Sequence, residues 1–105
     1  MKVVIMPEAE SQLATRRAWW RENRPATRDL FDQELAHAID RIANVPFACP
    51  VFVERAGHAI RRRLLPKTRC HLYFEILERQ DEVQILEAAG SRQRRTPRIR
   101  FQDAP

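Results

Sequence analysis

No run of apolar residues in this chain approaches the ~18 needed to span a membrane, so a membrane protein built on helices is not expected. The first residues offer no leader either. Lys2 is followed only by Val3, Val4, Ile5 and Met6 before Pro7 and Glu8, too short for the apolar segment of a signal peptide. The expected location is the cytosol. Cysteine is scarce: Cys49 and Cys70 fit no zinc spacing, and His37, His58 and His71 are not clustered with them. Reduced thiols, with Cys70 as a small core residue, are the plain expectation. Lysine is nearly absent, with Lys2 and Lys67 alone, and neither Tyr nor His occurs after Tyr73.

Arginine is abundant, and unevenly placed. Residues 1–54 hold seven Lys/Arg against eight Asp/Glu, whereas residues 55–101 hold twelve against five. The second half is cationic, which implies an anionic partner, either nucleic acid or an acidic protein segment. The simpler alternative is a solvated basic surface. At 105 residues one domain spanning 1–105 is expected, with a modest core and little room for an enclosed substrate cavity.

Lys2 to Met6 reads as a short strand rich in β-branched residues. Pro7, Glu8 and Glu10 suit the first turn of a helix running to about Glu22, with Ala9, Leu13 and Trp20 on its apolar stripe. Trp19 and Trp20 lie about 100° apart on that helix, so at most one is central to the core, and Trp20 is the better candidate. A second helix is expected from about Ala26 to Asn44, striped by Phe31, Leu35, Ala38, Ile39 and Ile42. The short break between them implies an antiparallel helical hairpin. Residues 46–57 read as a loop with an apolar patch at Val51-Phe52-Val53.

Three strands follow, at His58–Leu65, Thr68–Glu78 and Glu82–Ala89, joined by turns short enough to demand a meander. The middle one alternates strictly. Cys70, Leu72, Phe74 and Ile76 belong to one face, and Arg69, His71, Tyr73 and Glu75 to the other. On the preceding strand Arg61 and Arg63 are expected on the polar face, and Arg62 toward the core between Ile60 and Leu64. The expected fold is α+β, in the order β-α-α-β-β-β. The helical hairpin covers the apolar face of a four-stranded sheet and leaves the other face open and cationic. Residues 92–105 form a basic tail, read either as a flexible solubilising segment or as one that finds nucleic acid through phosphate contacts.

Several segments carry a family resemblance. They are Pro7-Glu8-Ala9-Glu10, the Trp19-Trp20 pair ahead of Arg24-Pro25, and Arg61-Arg62-Arg63-Leu64-Leu65. To these add Thr68-Arg69-Cys70-His71-Leu72-Tyr73-Phe74-Glu75 and Gly90-Ser91-Arg92. In order and spacing they resemble the RelE/ParE toxins of bacterial type II toxin–antitoxin systems, over about residues 2 to 97. The resemblance implies a growth-arresting toxin that a cognate antitoxin protein wraps and neutralises. It also implies one of two targets: ParE-like toxins inhibit DNA gyrase, and RelE-like toxins cut mRNA on the ribosome. Neither activity calls for a metal or other cofactor.

RNA cleavage needs a base, an acid and cations on the developing phosphorane charge. Arg61, Arg63, Arg69, His71, Tyr73 and Arg92 are the residues that could serve. Against this, RelE-like nucleases usually place a catalytic Tyr or His near the C-terminus and draw on lysines, both wanting here. The compact helical hairpin is more ParE-like, so gyrase inhibition is the expectation and the endoribonuclease the alternative. Each residue has a duller role available: a solvated arginine strand, a surface histidine, a cross-strand tyrosine. Trp19, Val51, Phe52 and Val53 are candidate points for antitoxin docking, since antitoxin segments of this family fold on the toxin as a helix or an added strand.

Overall fold

A computed structural model describes residues 1–91. The chain runs β1 (Lys2–Ile5), α1 (Pro7–Asn23), α2 (Leu30–Asn44), β2 (Val51–Arg55), β3 (His58–Leu65), β4 (Cys70–Leu77) and β5 (Glu82–Gly90). The strands form one mixed sheet in the order β1-β5-β4-β3-β2, in which β1 is parallel to β5 and every other pair is antiparallel. Arg92 and the basic tail 92–105 lie outside the described residues.

The α+β fold expected from the sequence is the one observed, with a strand added. Pro7 opens α1, with Glu8 and Glu10 in its first turn. Ala9, Leu13, Phe31, Leu35, Ala38 and Ile42 form the underside of the two helices. They meet Leu65, Cys70, Leu72, Phe74, Val83 and Ile85 from the sheet in one buried cluster. The alternating β4 face is therefore core: Cys70, Leu72 and Phe74 are fully buried.

α2 begins later than the expected Ala26. A single 3-10 turn, Pro25–Thr27, comes first. The Trp20 indole N–H donates to the Thr27 carbonyl at 2.7 Å, taking the acceptor that a continuous helix would give to the backbone N–H of residue 31. The expected loop over 46–57 is also corrected, because Val51–Arg55 is the edge strand β2. It returns through Ala56 and Gly57, whose φ values of 49° and 80° make a two-residue hairpin loop of the type whose twist matches that of its flanking strands.

The placement of the three arginines is the reverse of the expectation. Directly opposed residues of an antiparallel pair share a face. Arg61 opposes Phe74 and Arg63 opposes Leu72, so both lie on the helix side; Arg62 opposes Tyr73 on the far side. β3 carries apolar residues in both phases, Ile60 and Leu64 in one, Ala59 and Leu65 in the other. The pairing of Leu65 with Cys70 across the turn decides between them.

Nor is the helix-free face bare. β5 carries one extra residue opposite Tyr73 and Phe74, which turns Leu86 to that side. There Leu86 joins Ile60, Tyr73 and Ala89 in a second buried cluster, with Met6 and Val53 packed at its margin.

Candidate functional site

The helix-free face is built by alternate residues of β3, β4 and β5 around that second cluster. Tyr73 stands at its centre, only 6% exposed. Its ring lies 5.7 Å from that of Phe52 on the edge strand, and 6.0 Å from the His71 imidazole. The Arg62 guanidinium stacks over Phe52 at 4.0 Å from the ring centroid, within cation–π range. Toward the other end of the same face, His58 Nδ1 is hydrogen-bonded to the Glu75 carboxylate.

His71 is held toward its neutral form. Burial lowers its pKa, and the charges of Arg62 and Arg69 lower it further. Its Nδ1 is buried and has no hydrogen-bond partner among the described residues. Such an imidazole accepts a proton reluctantly and is a poor cation for phosphate, although it remains a hydrogen-bonding group.

The six residues proposed for RNA cleavage are divided. His71 and Tyr73 meet on the helix-free face. Arg61 lies on the other face, where its guanidinium donates to the Cys49 carbonyl and sits 5.1 Å from the Phe47 ring centroid. Arg63 is on that face too, with a buried Nε that meets no acceptor among the described residues. Arg69 was expected at the head of the polar strand face, but it occupies the β3–β4 turn at φ 59°. Its N–H closes that turn on the Leu65 carbonyl at 2.8 Å. Arg92 is outside the described residues.

The docking candidates are also separated. Val51 and Phe52 are exposed on the edge strand β2, at 42% and 39%, and Val53 is half-buried against the second cluster. Trp19 is half-exposed on α1, whose sheet contacts are with β5, three strands away in the order. Trp20 is half-buried against the core, as its position on the stripe implied.

Sequence reasoning missed Arg62 and the His58–Glu75 pair. The residue types were visible, but only the strand register brings Glu75 to that end of the face. Cys49 and Cys70 are both free and buried, and burial pushes the Cys70 thiol up to about 11, which keeps it protonated and inert. Among the described residues no three His, Cys, Asp or Glu side chains gather as a metal ion would require, and no helix is long and apolar enough to cross a membrane.

Compared with known proteins, the chain matches no family model and no curated sequence.

Proposed function

We propose that this chain is the toxin of a RelE/ParE-like toxin–antitoxin pair, arresting growth by binding DNA gyrase and held in check by a cognate antitoxin. The family part of this reading rests on the resemblance in motif order and spacing, and the observed order of elements is consistent with it. The choice of target rests on one observation, the division of the would-be nuclease residues between two faces of the sheet. In-line phosphodiester cleavage needs its cations, acid and base around one phosphate. With Arg61 and Arg63 on the helix side and His71 and Tyr73 on the other, binding is favoured over cutting.

The exposed β2 edge suits an antitoxin segment, because an edge strand presents unpaired backbone groups that a folding peptide can extend. Val51, Phe52 and Val53 would anchor such a segment, and the surplus of arginine favours an acidic one.

Induction in a bacterial host, with and without the neighbouring gene, tests the proposal. The expected result is growth arrest with SOS induction and cleaved DNA complexes, relieved by co-expression of a small acidic-tailed partner. Codon-positioned cuts in mRNA, read by primer extension, would replace gyrase inhibition with ribosome-dependent cleavage. Normal growth under strong induction, with no partner bound from the same operon, would remove the toxin reading altogether.

A further inference from the structure

A groove of about 910 Å³ runs between α1, the β3–β4 turn and the C-terminal end of β5, well away from the β2 edge. Its size is that of a small-molecule site. Among the described residues four cationic side chains line it, Arg16, Arg24, Lys67 and Arg69, against one carboxylate, Glu87, a surplus of three positive charges. None of the four is in ion-pair contact among the described residues, although other arginines of α1 are. Arg17 and Arg21 both engage Asp32, at 2.5 and 2.9 Å. Among the described residues the cations of the groove make no ion pair, while their neighbours on α1 do.

Two features give the groove a defined shape. Gly90 lies beneath the Arg16 guanidinium so closely that a Cβ there would stand 2.7 Å from the Arg16 terminal nitrogen. The absence of a side chain at residue 90 is thus what lets Arg16 lie along the floor. At the mouth stands Trp19, 51% exposed, its ring 6.0 Å from that of Trp20. Trp20 is itself fixed by its hydrogen bond to Thr27. A large flat ring therefore faces solvent beside a cluster of cations.

We infer that this groove binds a nucleoside polyphosphate, with the base stacked on Trp19 and the phosphates held by Arg16, Lys67 and Arg69. The surplus of charge suits a polyphosphate, and guanidinium groups match phosphate oxygens two at a time. Stacking on an indole tolerates any base. A single exposed ring offers a platform for one base, whereas proteins that hold a single strand stack successive bases on successive rings. Side chains supply the positive charge that lines the groove. The site is independent of the growth-arrest reading and is tested on the purified chain, without reference to toxicity.

Titration of the full chain with ATP and GTP, followed by tryptophan fluorescence and calorimetry, should give saturable binding that weakens as salt is raised. Trp19→Ala should weaken it about tenfold, and Arg16→Ala or Arg69→Ala by a similar factor. Gly90→Ala displaces only the tip of a flexible side chain, so it should leave the unfolding transition in place while weakening binding. Arg79→Ala, in the β4–β5 turn, should change nothing. No binding of either nucleotide overturns the inference. So does affinity for inorganic tripolyphosphate equal to that for ATP, or an unaltered Trp19→Ala variant, since the base would then take no part. Binding of a short oligonucleotide or an acidic peptide in place of both nucleotides overturns it as well.

Discussion

Glu34 holds the β3–β4 turn from outside the sheet. One carboxylate oxygen accepts the Lys67 N–H at 2.8 Å, and the other accepts the Thr68 N–H at 2.9 Å and the Thr68 hydroxyl at 2.6 Å. Partial burial of the carboxyl opposes ionisation, but these donors from Thr68 and Lys67 outweigh it, so its pKa is lowered. Glu34→Gln should destabilise the protein by about 1–2 kcal/mol in urea unfolding, because charge-assisted bonds are exchanged for weaker ones and an amide N–H₂ meets a donor. A carboxyl depressed in the folded state contributes stability above its ordinary pKa, about 4.3, and loses that contribution as pH falls through the folded value. The loss of stability between about pH 5 and pH 3 should accordingly be shallower in Glu34→Gln than in the parent chain. Asp32, lowered chiefly by the Arg17 hydrogen bond, contributes acid sensitivity of the same sign in both chains.

Among the elements, the β2–β3 hairpin has an unfavourable residue in its turn. Ala56 adopts φ 49°, a conformation costing a residue with a Cβ roughly 1–2 kcal/mol, and only Gly57 beside it is suited to its place. Ala56→Asn should stabilise the chain by about 0.5–1 kcal/mol, measured as a raised urea midpoint with an unchanged slope. The same residue explains why β2 was illegible in the sequence. Val51–Arg55 is five residues long, Pro50 precedes it, and its turn lacks the Asn-Gly or Asp-Gly signal, so a loop was the natural reading. By contrast the β4 alternation and the α2 stripe were plain, because each has one face made of large apolar residues. The three arginines were misassigned for a related reason. β3 has no single apolar phase, and its facing is imposed by β4 across the turn. Candidate site residues inherit such errors directly: an error of one residue in phase moved Arg61 and Arg63 to the opposite face.

At the scale of the whole molecule, the two sheet edges differ. β1 sits at one end with its parallel partner β5, and β2 at the other end displays Val51 and Phe52 to solvent, with Phe47 exposed nearby. If an antitoxin segment extends the sheet at β2, a Val51→Glu, Phe52→Glu double variant should bind the partner at least tenfold more weakly in calorimetry, with its own unfolding little changed. An undiminished affinity would move the docking point elsewhere, with Trp19 the next to test.

The pairing of Lys2–Ile5 with Glu82–Ile85 has a temporal side. The strand made first must wait for the strand made last among the described elements, and closing so long a segment slows folding. Until β5 is synthesised, the greasy undersides of both helices have an incomplete sheet to rest upon. A nascent chain halted before Glu82 would stay unassembled and adhesive, a ready client for chaperones and proteases.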